Sequence, residues 1–329
     1  MTMAQWRSWY RGRRVLIVGG LGFLGANLSR RLAALGASVT VVTPDRAAHE
    51  LEATELEASG ADVISADLRD VAAMRAAVAG RAAVFNLAGR SGAVRSMEDP
   101  FTDLDVNCRG NLVLLEALRA DAPAAKIVFP GSRLEYGRTG SRPVGEDDPL
   151  DPLCVHAVHK IAVENYLKIY RQLYGLRTTV LRITNPFGPG QPAGRSAYGV
   201  VNRLIHLALQ DRPLPIYGDG RQLRDYIYVD DTVEALVAAG ASASTDGGTY
   251  NVGSGIATRL VDMAQLIVDL AGGGRLAFEP WPALAEQIET GDFVADVSRI
   301  HADTGWSPST SLADGLRRTI EAYRVHVRA

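Results

Sequence analysis

Cysteine is nearly missing from this sequence: Cys108 and Cys154 are the two among 329 residues. That leaves no disulfide framework and no paired-thiol spacing for a metal, and it fits a reducing compartment. Long apolar runs are also missing. No stretch approaches the ~20 residues that span a bilayer, and Val15–Val18 is too short for the core of a secretion signal. A cytoplasmic protein with no membrane partner is expected. Charge of one sign is absent as well, since 35 basic and 37 acidic residues give a net charge of −2. Nucleic acid or an anionic membrane surface would call for a basic excess. One local basic cluster, Arg7, Arg11, Arg13 and Arg14, reads as a solvated segment.

Apolar residues make up 47% of the chain, enough for a large core. Short apolar runs at Val15–Val18, Ser38–Val42, Val63–Ala66, Ala83–Leu87, Lys126–Phe129 and Thr178–Arg182 read as strands. Between them, Ala26–Leu35, Val71–Ala79, Val106–Ala120 and His156–Tyr174 carry apolar spacing near 3.6 and read as helices. Continuous apolar strands alternating with helices mean an α/β fold with a doubly wound parallel sheet covered on both faces. From Pro186 the chain becomes rich in glycine and proline, and a strand-helix pair returns over Asp225–Gly240. The expected division is a Rossmann-type domain of residues 1–183 plus 225–253, and a smaller lobe of 184–224 plus 254–329.

Strand Val15–Val18 runs into Gly19-x-x-Gly22-x-x-Gly25, which opens a helix. Between those elements the glycines have a physical role: a tight turn, backbone N–H groups close to a pyrophosphate, and close helix–strand packing. Gly19, Gly22, Phe23, Leu24 and Gly25 are therefore expected to cradle a dinucleotide. The second strand should end in an acid that reads the adenosine ribose, and Thr43 stands there instead. Asp45 is near enough in sequence to reach a ribose, whereas Arg46 could hold a 2′-phosphate. NAD is favoured and NADP stays open. Asp67 suits the adenine edge, or caps the following helix.

Further along come Asn86-Leu87-Ala88-Gly89, Ser132-x-x-x-Tyr136-Gly137, Asn185-Pro186-Phe187-Gly188 and Tyr217-Gly218-Asp219-Gly220. They are followed by Arg224-Asp225-Tyr226-Ile227-Tyr228-Val229-Asp230-Asp231, Tyr250-Asn251-Val252-Gly253 and Thr304-Gly305-Trp306-Ser307-Pro308. In this order the motifs resemble the extended short-chain dehydrogenase/reductases, specifically the nucleotide-sugar epimerases and dehydratases. The resemblance implies a Rossmann domain holding NAD(P) and a C-terminal lobe that clamps a nucleoside diphosphate sugar. It extends the cofactor site to Leu68, Leu87, Ala88, Gly89, Asn107, Lys160 and Pro186. Members of the family oxidise a sugar hydroxyl to a ketone and return the hydride. A Ser or Thr hydrogen-bonds the hydroxyl, and a Tyr-x-x-x-Lys pair supplies the base, its lysine lowering the phenol pKa. A homodimer packed through Val106–Ala120 and His156–Tyr174 is also implied.

Here the resemblance fits Ser132 and Lys160, but the tyrosine position holds His156. Either His156 replaces the phenol as acid/base, poised by an ordinary pKa near 6.5 that Lys160 lowers, or it fills the pocket while activity is lost or carried by another group such as Tyr136. A metal on His156 and His159 lacks a third ligand, so no metal is expected. Family 4,6-dehydratases place Asp and Glu directly after the serine. This chain has Arg133 and Leu134, with Glu135 on the opposite face by strand alternation. Dehydration is disfavoured, and epimerisation needs only Ser132, His156, Lys160 and the cofactor.

For the substrate, the resemblance assigns Arg224 to the diphosphate, Asn185 to the phosphates or sugar and Tyr217 to the base. Ser91 and Arg95 are placed at the sugar. A second family arginine is replaced by Glu289, for which Arg195 or Arg259 would compensate. Epimerase, sugar ketoreductase or dehydrogenase, and non-catalytic cofactor-binding protein are the three functions left open.

Overall fold

The computed structural model describes residues 3–191 and 199–327. Its centre is a seven-stranded, wholly parallel sheet of β1 (Arg14–Val18), β2 (Ser38–Thr43), β3 (Asp62–Ser65), β4 (Ala83–Asn86), β5 (Lys126–Ser132), β6 (Arg177–Ile183) and β7 (Thr249–Val252), in the order β3-β2-β1-β4-β5-β6-β7. Side chains alternate along each strand, so both sheet faces must be covered. Val15 and Ile17 of β1 join one buried cluster, and Leu16 and Val18 join the other. This is the doubly wound α/β architecture expected from the sequence. The chain order reverses at β1–β4, which opens a crevice at the carboxyl ends of those strands.

Three short sheets lie apart from the large one. Leu223–Tyr228 pairs in parallel with Asn185–Phe187 and antiparallel with Ala257–Arg259. The returning strand read over Asp225 therefore belongs to this small sheet, while its helix, Val229–Ala241, packs on the large one and β7 completes that sheet's edge. Helix Val106–Ala120 proves to be a π-helical turn, Asp105–Arg109, leading into Gly110–Asp121. A helix over Glu50–Ala58 has no strong apolar period and was not anticipated.

The basic N-terminal segment is not simply solvated. Met3–Trp9 is a helix that buries Trp6, and Tyr10 just beyond it is buried too. Tyr10 donates to the Val237 carbonyl at 2.8 Å, and Arg7 pairs with Glu234 at 2.7 Å. The arginines mask two aromatics whose burial supplies the docking energy. Lys126, at the start of β5, is fully buried. Its Nζ donates to the Ser242 carbonyl at 2.5 Å and Thr245 Oγ1 at 2.6 Å, and lies 2.8 Å from Asp246. Burial pushes its pKa down to about 8, against the pull of Asp246. Among the described residues no helix is long and apolar enough to cross a membrane.

Replacing the fully buried Trp6 by Ala should lower the unfolding free energy by roughly 3–5 kcal/mol in urea denaturation. A loss under 1 kcal/mol would show that the N-terminal helix is not docked.

Candidate active site

A cavity of about 740 Å³ opens at the crevice and runs from the glycine loop to the end of β5. Gly19 has φ +79°, and a Cβ there would sit 2.6 Å from the Ala88 amide nitrogen. A Cβ on Gly25 would come 2.2 Å from the Gly19 carbonyl oxygen. Helix Phe23–Ala34 can therefore start against β1 only if these positions carry no side chain, and its free N–H groups then point into the cavity. Gly19, Gly22, Phe23, Leu24, Gly25, Leu87, Ala88, Gly89 and Pro186 all line it.

The adenosine end is walled by Thr43, Asp45, Asp67 and Leu68. Asp67 caps no helix. It is gripped by Arg69 at 2.7 Å and 2.8 Å, and the cap of Val71–Val78 is Asp70. That clamp, above all the hydrogen bond from Arg69, keeps the Asp67 carboxyl below its usual pKa. Arg46 does not face the cavity, because its guanidinium holds Glu57 at 2.5 Å and Glu50 at 3.4 Å.

At the other end Ser132, His156 and Lys160 share the wall. β5 ends on Ser132, which caps a 3₁₀ turn, Arg133–Tyr136. Its hydroxyl accepts from the Leu134 N–H at 3.2 Å, and the Glu135 side chain accepts from the Ser132 N–H at 2.6 Å. This capping box, rather than strand alternation, turns Glu135 inward to a fully buried place 3.2 Å from Arg182. His156 and Lys160 lie one turn apart on helix Val155–Tyr174, on one face. The His156 N–H donates to Ser96 Oγ at 3.0 Å, which satisfies an orphan donor of the first turn. Lys160 Nζ donates to the Pro130 carbonyl at 2.7 Å, and burial pushes its pKa down. Burial also lowers the His156 pKa, although the facing Asp103 pulls it up. Tyr136 is removed as a substitute base. Its hydroxyl donates to Asn251 at 2.8 Å and accepts from Arg182 at 3.0 Å, away from the cavity, and burial pushes its pKa up to about 12.

The expected substrate groups divide. Ser91 and Asn185 line the main cavity, while Arg95 is exposed and does not. Asn107 does not line it either. Its amide accepts from the Arg90 N–H at 3.0 Å and donates to the Arg90 carbonyl at 2.9 Å, which shapes the loop after β4. Arg224 and Tyr217 are also outside it. Arg224 is 7% exposed and donates to Glu289 and to the Gly291 carbonyl. Tyr217 leans on Trp281, ring centroids 5.5 Å apart. A second cavity of about 350 Å³ adjoins them, lined by Trp281, Arg138 and the acids Asp219, Glu286 and Glu289. Arg259 is spent on Asp262 at 2.7 Å, and Arg195 lies outside the described residues. A cation not anticipated for this role, Arg133, does reach the region: it donates to Asn185 Oδ1 at 3.2 Å and Thr290 Oγ1 at 2.9 Å. Burial and the nearby Arg224 push its pKa down to about 9, so it remains charged at neutral pH.

Residues 15–253 match the model of the NAD dependent epimerase/dehydratase family. The chain belongs to that family. A UDP-glucose 4-epimerase of Mycolicibacterium smegmatis is 35% identical over 321 residues, with 94% of this chain and 98% of the relative covered. The structure of a Thermus thermophilus UDP-glucose 4-epimerase in complex with NAD superposes with a TM-score of 0.84 at 31% identity, covering 94% of this chain and 99% of that one. A Thermotoga maritima UDP-glucose 4-epimerase solved with UDP-glucose gives 0.86 at 27% identity, covering 95% and 99%. NAD is thus bound in homologous structures of this family, and the glycine cradle here has the shape a pyrophosphate needs. Among the described residues no group of three or more His, Cys, Asp and Glu is placed to hold a metal ion.

One residue of the site escaped sequence reading. Asp103, 2% exposed on helix Pro100–Leu104, faces both His156 and His159. Its signal was weak, since an acid among Asp99, Asp103 and Asp105 reads as a solvated helix start.

Gly25→Ala should raise the dissociation constant for NADH, followed by fluorescence titration, by at least about tenfold, because the methyl drives the helix off the Gly19 carbonyl. Unchanged affinity would mean the cradle is not where the pyrophosphate lies.

Proposed function

We propose that this protein is an NAD-dependent epimerase of a nucleoside diphosphate sugar, working through transient oxidation to a keto-sugar. The observation that carries this reading is the convergence of Ser132, His156 and Lys160 on the same cavity as the glycine cradle. Bound nicotinamide supplies reversible uptake and return of a hydride. The chain's own residues do the remainder. Ser132 Oγ hydrogen-bonds the reacting hydroxyl, and His156 takes its proton and later gives one back. Lys160, one turn on, stands at the nicotinamide end and adds to burial in lowering the pKa of that imidazole. Gly19, Gly22 and Gly25 with the helix start hold the pyrophosphate, and Leu68 with Asp67 flanks the adenine. Asp45 on the wall, with Arg46 tied to Glu57, favours NAD, because an acid there repels a 2′-phosphate. The missing acid-base pair after Ser132 speaks against 4,6-dehydration: Arg133 holds Asn185 and Thr290, and Glu135 is enclosed.

Asn185 and Ser91 are the sugar contacts in this reading, and Arg224 with Arg133 receives the diphosphate. Glu289 must then give up Arg224 when substrate binds. The same reading has a homodimer formed by the helices Gly110–Asp121 and Val155–Tyr174, the second of which leaves Val158, Ile169 and Leu173 exposed.

Purified protein with its retained cofactor should interconvert a nucleotide sugar and its epimer, UDP-glucose first among a panel, with no added NAD and no net NADH. His156→Ala should keep the cofactor and lose roughly 10²–10⁴-fold in kcat. Turnover of none of the panel, or a requirement for added NADPH, would overturn the proposal. Glu289→Gln frees Arg224, so UDP should bind about tenfold more tightly by calorimetry, the worth of one released charge-assisted contact. Equal affinity in the two proteins would place the diphosphate elsewhere.

A further inference from the structure

Asp103 has no part in the mechanism above, yet it is an enclosed carboxylate that faces the proposed acid/base directly. Its Oδ1 lies 2.6 Å from His159 Nδ1 and accepts from Asn107 Nδ2 at 2.9 Å. Its Oδ2 faces His156 Nδ1 at 3.9 Å. That His156 nitrogen is buried and has no hydrogen-bond partner at this distance, while the residue also lines the reaction cavity. A buried imidazole nitrogen with a carboxylate opposite it is an unfinished hydrogen bond, and catalytic contacts of this length close when substrate is bound. His159, by contrast, does not line the cavity. With Asn107 it anchors one carboxylate oxygen and leaves the other for His156.

We propose that Asp103 is a positioning residue that keeps a proton on His156 Nδ1, so that Nε2 meets the sugar hydroxyl as a bare acceptor, and that it balances the imidazolium formed when the proton moves. This deepens the reading of His156 as acid/base and rests on it. In the step itself the hydroxyl O–H proton would pass to His156 Nε2 and be given back to the same oxygen afterwards. Bound nicotinamide would supply the hydride chemistry, and inversion would need the keto-sugar to present its opposite face for the return. Without a counter-charge, the imidazolium would form one turn from the Lys160 ammonium, in a buried site where like charges are costly.

The groups acting on His156 are Asp103 from helix Pro100–Leu104 and His159 and Lys160 from its own helix. Cys154 precedes that helix, the Cys108 thiol lies by the His159 carbonyl, and both cysteines are buried. Burial opposes ionisation of Asp103, but His156, His159 and Asn107 outweigh it and bring its pKa to about 2, so it is a carboxylate at working pH. Burial, then Lys160, lowers the His156 pKa, and Asp103 acts against them. Removing the Asp103 charge therefore lowers the His156 pKa further.

Two measurements on the full-length, NAD-loaded protein test this. In ¹⁵N-histidine NMR, wild-type His156 should carry its proton on Nδ1, and Asp103→Asn should abolish that preference. In turnover, Asp103→Asn should cut kcat at least tenfold with KM changed less than about twofold, and should move the acidic limb of kcat/KM to lower pH by about one pH unit. Asp103→Glu should recover part of the rate, and His159→Gln should leave the limb in place. A wild-type His156 protonated on Nε2 would overturn the proposal even if the variants fail to fold, as would an Asn variant with unmoved tautomer and limb. Inactivity of the wild type towards every nucleotide sugar, with the tautomer as expected, would defeat the proposed function and leave the role of Asp103 in orienting His156 standing.

Discussion

The start of helix Phe23–Ala34 leans on the carbonyl of Gly19, and nearly every part of the site takes its position from that contact. A Cβ on Gly25 would lie 2.2 Å from that oxygen, and one on Gly19 would meet the backbone of Ala88. Two strands and a helix therefore meet with backbone against backbone. Because the contact is this tight, the first free N–H groups of the helix have one direction to point, and the cavity lies along it. The chain just after β4 enters the same contact through Ala88. The loop after β4, pinned by Asn107, then brings Ser91 to the far end of the cavity.

Charge is arranged differently around the two cavities. His156 faces the enclosed Asp103, and outside the cavity lining Arg182 is matched by the enclosed Glu135 and Glu164. Such pairs are costly to bury, and their value lies in fixing side-chain geometry. Near Arg224 the balance shifts towards acid. Glu289 takes one cation, and Asp219 and Glu286 line the adjoining cavity. The Arg224 guanidinium is therefore already bonded, and under the proposed reading a diphosphate would have to displace Glu289 from it.

The sheet and the cradle were legible in the sequence because their signals are local. Continuous apolar runs give parallel strands, and glycines at fixed offsets between a strand and a helix have few other uses. Lys160 and Ser132 were legible through motif order. What could not be read depends on partners distant in sequence. Arg46 reads as a phosphate ligand until Glu57 is seen beneath it. Arg224 reads as free until Glu289, 65 residues on, is seen to hold it. Asp103 gave no period or spacing to notice, and its meaning comes from two histidines more than 50 residues downstream. The N-terminal helix misled for a related reason: its arginines dominate the composition, and Trp6 and Tyr10 dominate its packing.

Lys126 ties together stretches of chain that the sequence keeps far apart. Its ammonium begins β5 and finds its acceptors at Ser242, Thr245 and Asp246, just after helix Val229–Ala241. A ribosome that has released only the first half of this chain has made a lysine whose burial is not yet possible, for want of those acceptors. An unmatched charge in that position is worth several kcal/mol against folding. The sheet also lacks its edge until β7 is made. The large sheet is therefore completed only when that later segment has been made. Its fifth strand waits for a segment delivered some 120 residues later, so the centre of the sheet and its edge come into being together.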